Sequence, residues 1–378
     1  MQIPPAIPAL SAAAAFALLA AGCAIPSAPP PEPLRTSRVD AFLKGGRDAR
    51  AMGITIYQGP AGKPTFAFAN RPHMGRAAEK PMVSVQGTPY PVIDAKAGDE
   101  TPFQMLVDTS ARQSWLVLDA CRDMDYRPFA PALGEYPDHV DSTVPGYAGV
   151  GNKIVMGTMH VESPIFYVPM ADGHFGPLAR LERPAGAAPL PAKSVRSREK
   201  LRTGIRAVMG AETLKNFDWV RFDFPNRKLR VSSNGPWKAP NPDSVAARLP
   251  MQDWHGRPAV AVRLDGRPML AVLDTAGDFD ISLPDPPADD GRVELGDRPL
   301  SAELPQFMVP VLSHAALGLP ETFPARIGLR ILSRYAVTLD YKNGLVWFED
   351  PDLAAERQKD AAESGTDDVP VQYRGIVP

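Results

Sequence analysis

Two aspartates stand in near-identical settings far apart in this 378-residue chain. One closes the run Phe103-Gln-Met-Leu-Val-Asp108-Thr109-Ser110-Ala111. The other closes Pro268-Met-Leu-Ala-Val-Leu-Asp274-Thr275-Ala276-Gly277. In each, an apolar strand-like run ends in Asp-Thr and small residues that suit a tight turn. A lone Asp-Thr pair is weak evidence, because about one is expected by chance in a chain this long. The agreement of context carries the signal. A pair of carboxylates brought within about 3 Å shares one proton, so one acts as base toward water and the other as acid toward a carbonyl. Such a pair titrates as a unit.

The elements around both aspartates repeat as well. An extended segment ending in a glycine turn precedes each: Met82 to Gly87 in the first copy, Ala259 to Gly266 in the second. A second apolar run follows each, Trp115 to Leu118 and Ile281 to Leu283. Further on, Gly210-Ala-Glu-Thr-Leu214-Lys-Asn-Phe217 precedes Val220-Arg-Phe-Asp223-Phe-Pro-Asn226. Its counterpart, Gly328-Leu-Arg-Ile-Leu332-Ser-Arg-Tyr335, precedes Val337-Thr-Leu-Asp340-Tyr-Lys-Asn343. The pattern reads as glycine, short helix, then a β-hairpin turning at Pro225-Asn226 or Asn343-Gly344. A duplicated, mostly β chain follows.

At these residues the chain resembles the aspartic proteases, most nearly retropepsin-like bacterial domains joined in tandem, over roughly Pro81 to Asp350. The resemblance implies a bilobal fold of two related β-barrel lobes with short helices and a cleft between them. It implies Asp108 and Asp274 as the catalytic dyad, with peptide-bond hydrolysis as the activity and no cofactor. Thr109 and Thr275 match the threonines that brace each active-site loop against the other. Gly210 and Gly328 match the glycines that let a neighbouring segment pass beneath the loop, where a Cβ would clash. Ser110 and Ala276 occupy the place of the motif glycine. Their Cβ atoms need room in a crowded turn, and a positive φ there would be costly. Asp278 and Asp280 add negative charge near Asp274, and Arg326 replaces an apolar residue before Ile327-Gly328. These departures set a non-catalytic, peptide-binding descendant beside the peptidase as the alternative expectation.

The first copy carries extra length: Asp108 to Gly210 spans 102 positions, Asp274 to Gly328 only 54. Part of it is expected to form a flap over the cleft, with Tyr136 or Tyr147 near its tip. Residues 173–204 read as a solvated, basic loop. Cys121 reads as a buried structural thiol, His139 and His160 as surface residues, and Trp115, Trp219 and Trp347 as core. Strand-like Ile54–Tyr57 and Thr65–Phe68 are expected as a hairpin added to the sheet between the lobes. Val369–Val377 could supply a last strand.

The N-terminus reads as an address. An apolar run of about fourteen residues is too short to span a bilayer and fits a signal-peptide core. It ends in Ala20-Ala21-Gly22-Cys23, which resembles a bacterial lipobox and implies lipidation of Cys23. Ser27 to Pro33 then reads as an extended tether. The expected organisation is 1–23 signal peptide, 24–50 tether, 51–235 N-terminal lobe with flap, 236–249 linker, 250–350 C-terminal lobe and 351–378 charged tail. The expected location is the bacterial envelope, lipid-anchored and facing the periplasm, or secreted. The expected partner is an extended peptide or protein between the lobes of a monomer.

Composition narrows the rest. Charged residues make up 22% and formal charge is −2, so no global field recruits nucleic acid. Two cysteines and six scattered histidines supply no four-ligand zinc site, and no HExxH, CxxC, GxSxG or P-loop motif occurs. No metal is expected. The 43 prolines favour turns and loops over helices.

Overall fold

Three β-sheets form the body of the protein in this computed structural model, which describes residues 32–33, 35–58, 64–68, 77–83, 90–97, 101–122, 124–130, 134–135, 146–151, 153–162, 164–172, 205–287, 290–296, 306–317, 321–353 and 355. One sheet of eleven strands builds the first lobe, one of eight builds the second, and one of six lies between them. Helices are short: Thr36–Leu43, Ala211–Leu214 and Leu329–Leu332. The chain is therefore mostly β and two-lobed.

The two lobes repeat one topology. In the first, Thr101–Asp108 runs parallel to Ile205–Gly210, with Asp108 beside Gly210. Trp115–Leu116 pairs antiparallel with that same strand. In the second, Arg267–Leu273 runs parallel to Ala325–Ile327, and Ile281–Leu283 pairs antiparallel with it. Each aspartate strand thus lies against the strand that leads into the repeated glycine. The apolar runs explain the arrangement. Leu106, Val107, Val208, Val272, Leu273 and Ile327 are buried, and strands covered on both faces read as unbroken apolar stretches.

The central sheet joins the copies through matching strands. Trp219–Asp223 pairs antiparallel with Ala336–Asp340, Phe222 facing Val337 and Arg221 facing Thr338. Each of these strands turns into a hairpin held by the same device. Asp223 Oδ1 accepts from the Asn226 amide and side chain, and the Asp340 carboxylate accepts likewise from Asn343. That is the physical content of the aspartate-to-asparagine spacing in both copies, since such side chains mimic a backbone turn. The left-handed position falls on Gly344 in one hairpin and on Arg227 in the other.

The stretch expected as linker holds buried Trp237, which is 4.7 Å from Trp219 by ring centroids. Val245–Pro250, across that stretch's end, forms an edge strand of the central sheet. Arg221 stacks on Trp237 and is ion-paired with Glu349. Burial lowers its guanidinium to about 10. Trp115 is buried, whereas Trp219 and Trp347 are half-buried.

Two N-terminal segments pack differently from expectation. Ile54–Gln58 and Pro64–Phe68 do form a hairpin, but as a separate two-stranded sheet. Ile54 belongs to a small core on the first lobe with Phe129, Ala148, Val150, Ile165 and Tyr167. The strand added to the central sheet is Ala77–Pro81 instead. Within the stretch expected as tether, Thr36–Leu43 is helical and Phe42 stacks on Tyr126, while Arg47–Asp48 pairs with Phe129–Ala130. Cys23, Tyr136, His139, residues 173–204 and Val369–Val377 lie outside the described residues.

Ala77–Pro81 is an edge strand pinned by charge. Glu79 contacts Lys228 Nζ at 2.7 Å and Arg230 Nε at 2.5 Å. Hydrogen bonds from Lys228 and then Arg230 hold its carboxyl below the ordinary 4.5. A depressed carboxyl stabilises above its unfolded value and loses that contribution as pH falls through the folded one. Acidification below about pH 4.5 should therefore loosen this strand, by at most a few tenths of a kcal/mol because the pair is half-exposed. Faster amide exchange at Ala78 and Lys80, with the central pair of strands unchanged, is the expected reading.

Candidate active site

The two aspartates meet where the lobes meet. Asp108, Thr109, Ser110, Asp274 and Ala276 are fully buried, with Thr275 scarcely less so. The threonines interlock across the junction. Thr109 Oγ1 donates to the Leu273 carbonyl at 2.6 Å, and Thr275 Oγ1 donates to the Val107 carbonyl at 2.9 Å. Each hydroxyl also accepts from the opposite threonine's amide, at 3.1 and 3.3 Å. Every one of these bonds joins residues more than 160 positions apart. The local requirement is a short polar side chain at the end of an apolar strand, which both copies supply.

The glycines work through space rather than conformation. A Cβ on Gly210 would stand 2.3 Å from the Gln113 carbonyl oxygen, and one on Gly328 would stand 2.1 Å from that of Phe279. Both backbones are extended, so the constraint is the segment lying beneath the loop. Gly328→Ala should cost about 1–3 kcal/mol through forced backbone displacement, read as a lower denaturant midpoint. Gly235→Ala, which meets nothing within 4 Å but has positive φ, separates strain from crowding in the same assay.

Ser110 and Ala276 replace the expected glycines without backbone strain. Neither has positive φ, contrary to the cost anticipated for a turn of this kind. Their amides donate to the carboxylates in parallel fashion, Ser110 to Asp108 Oδ1 at 2.8 Å and Ala276 to Asp274 Oδ1 at 3.1 Å. The side chains then diverge. Ser110 Oγ lies 2.7 Å from Asp108 Oδ1 and 2.9 Å from Asp274 Oδ1. One hydroxyl thus bridges the same oxygen of both acids.

Arg326 closes the other side of Asp274. Its Nη2 is 2.8 Å from Asp274 Oδ2, and both side chains are fully buried. The corresponding strand position in the first lobe is Val208, since Val208 faces Leu106 as Arg326 faces Val272. The two halves therefore share a backbone and differ in charge. An opposite charge at this distance favours ionised Asp274. Arg326 also sits over Phe323, 5.4 Å from its ring centroid.

A second arginine crosses between lobes. Arg257 Nε donates to the Ser110 carbonyl at 2.8 Å, and its guanidinium stacks on Trp254 and Phe323 at 5.2 and 5.1 Å. The turn carrying it has Arg112 of the first lobe against Gly256. Ser114 completes the support, with its hydroxyl 2.6 Å from Thr213 Oγ1 and accepting from the Gly210 amide. Arg257, Trp254, Phe323 and Ser114 were not singled out by sequence reasoning for this site. Only Arg257 left a trace, as a cation opening an apolar strand. Asp278 and Asp280 are both ion-paired with Arg330, at 3.1 and 3.8 Å. Burial raises the Asp280 carboxyl above its ordinary range.

Within the stretch expected to carry the flap, Gly134–Glu135 pairs antiparallel with Gly146–Tyr147. Tyr147 faces Gly134 in that pairing, and its carbonyl accepts from the Tyr126 hydroxyl. His160 is partly exposed, 3.5 Å from Glu162, and Cys121 is buried.

No protein-family model and no curated protein matches the sequence. Solved structures similar to it include an aspartic proteinase from Irpex lacteus, at 12% identity and a TM-score of 0.44 over 74% of this chain and 98% of that one. Basic 7S globulin from soybean is similar at 11% identity and a TM-score of 0.42, covering 75% of this chain and 97% of that one. Conglutin gamma, a basic 7S globulin from lupine seeds, follows at 9% and 0.40, over 73% and 95%.

Proposed function

We propose that this chain has the architecture of a single-chain aspartic peptidase but binds peptides without cutting them. The observation that carries the reading is Ser110, whose hydroxyl lies within hydrogen-bond reach of both Asp108 and Asp274. A hydrolytic dyad needs a water molecule between its carboxylates and a proton shared by them. Here a side-chain oxygen takes the first place. Arg326, paired with Asp274, lowers the proton affinity that this carboxylate needs as a base toward water.

The ligand in this reading is an extended peptide lying between the lobes. The Gly134–Glu135 strand offers it a backbone edge, being paired on one side only among the described residues, and added strands bind through such edges. Trp254, Phe323 and exposed His255 stand on the hairpin and loop that reach the first lobe. The protein works at the bacterial envelope, anchored by lipid on Cys23 and facing the periplasm.

Hydrolysis by the Asp108/Asp274 pair is the competing reading. It is favoured by the threonine interlock and by the matching amide donors to the two carboxylates. The mature chain, incubated with an unfolded protein between pH 3 and 7, decides between them. Retention of peptide with no new fragments by mass spectrometry is expected for wild type and Asp108→Asn alike. Fragments from wild type that vanish in Asp108→Asn would establish the peptidase instead.

A further inference from the structure

The non-catalytic reading leaves an intact frame around a blocked centre, and the inference that follows rests on it. Four parts of the frame are in place. The aspartates are neighbours, the threonines interlock, each carboxylate takes an amide hydrogen bond, and the glycines admit the segments beneath. Two side chains stand against it. Ser110 Oγ fills the point equidistant, within 0.2 Å, from Asp108 Oδ1 and Asp274 Oδ1. Arg326 holds Asp274 Oδ2.

We propose that Ser110 and Arg326 form a two-part lock on a latent amide hydrolase, and that removing both opens the site. The two parts act on different requirements. The serine hydroxyl excludes the nucleophile, because a water and Oγ cannot occupy one position. The guanidinium weakens the base, because a carboxylate paired with a buried cation takes a proton from water poorly. Glycine at 110 vacates the solvent position without disturbing the amide donor. Valine at 326 reproduces the first lobe's own residue, Val208, at the equivalent register position. With both changes the pair can hold one proton and one water. Water oxygen then bonds to the scissile carbonyl carbon as one carboxylate takes its proton and the other protonates the carbonyl oxygen. The C–N bond breaks, the amine leaves with a proton, and the products are an acid and an amine. The substrate class is the peptide bond of an extended chain.

The experiment compares wild type, Ser110→Gly, Arg326→Val, the double variant and the double variant carrying Asp108→Asn. All are assayed on a fluorescently labelled unfolded protein from pH 3 to 7, with thermal melts to establish folding. The double variant is expected to cleave about 100-fold faster than its Asp108→Asn derivative, the scale of one general acid–base group. Either single variant stays at the level of that derivative, since each leaves one barrier standing. A folded double variant that cleaves no faster than the derivative overturns the lock. Cleavage by wild type that depends on Asp108 overturns the non-catalytic reading itself, a distinct outcome. A crystal structure of Ser110→Ala keeps the first half testable if the double variant does not fold. Ordered water between the carboxylates supports it, and collapse of the two acids onto each other without water contradicts it.

Discussion

Asp274→Ala is expected to destabilise the folded chain by about 3–5 kcal/mol, the cost of breaking a buried ion pair from one side. Arg326 is fully buried, so its guanidinium cannot turn to water when the carboxylate goes. The Phe323 ring, 5.4 Å away, offers a cation–π contact worth about 0.5–2 kcal/mol, which does not replace a carboxylate at 2.8 Å. The partner change tells the same story from the other direction. Asp274→Ala combined with Arg326→Val removes both charges and should recover much of the loss, because apolar replacement of a whole buried pair is often neutral. Denaturant titrations of the two single variants and the double variant give the coupling energy directly. A loss under about 1 kcal/mol in Asp274→Ala would mean that the pair is not formed or not buried. Asp108→Ala is the contrast. Asp108 accepts from the Ser110 amide and hydroxyl, and its removal strands the amide rather than a buried cation, because the hydroxyl still has Asp274, at about 1–3 kcal/mol.

Thr275→Val should cost about 2–6 kcal/mol, and the damage should appear at the junction of the lobes. Valine keeps the shape of threonine but removes Oγ1. The Val107 carbonyl then loses its donor and the Thr109 amide its acceptor, both in a buried region. Each orphaned group costs about 1–3 kcal/mol. The reciprocal change, Thr109→Val, strands the Leu273 carbonyl and the Thr275 amide. The double variant should cost less than the sum, because the two hydroxyls belong to one network. Hydrogen exchange locates the effect: protection should fall at Thr109 and Thr275 amides before it falls in the outer strands of either lobe. Uniform loss of protection across both lobes would argue that the interlock is not a separate unit.

The duplication could be read from sequence because its elements are local and carry strict demands. An apolar run ending in Asp-Thr needs only its own residues to form a strand and a turn. Gly210 and Gly328 mark places where another segment passes within van der Waals distance, a demand that one atom decides. The Asp223–Asn226 and Asp340–Asn343 turns are closed by residues three apart. Each feature leaves its mark within a few positions.

The chemistry of the site was less legible, because it depends on atoms brought together over long separations. Arg326 stood out as a cation in an apolar strand, but the sequence does not say which carboxylate it meets, 52 positions away. Ser110 could have pointed away from the acids, and the bridging position of its hydroxyl is a matter of packing. Arg257 contacts Ser110 across 147 residues. The same limit explains the hairpin at Ile54–Phe68. Alternating apolar residues specify a strand with one buried face, not the surface that buries it. That surface proved to be the first lobe, through Ile54 and Phe129, and the central sheet took Ala77–Pro81 in its place.

The occupant of the space between Asp108 and Asp274 is what a crystal structure of the mature protein at atomic resolution would reveal. The Ser110 hydroxyl is expected there, within about 3 Å of an oxygen of each acid, with Arg326 on the far side of Asp274. A water molecule held between the carboxylates, with Ser110 turned aside and Arg326 withdrawn from Asp274, would contradict it.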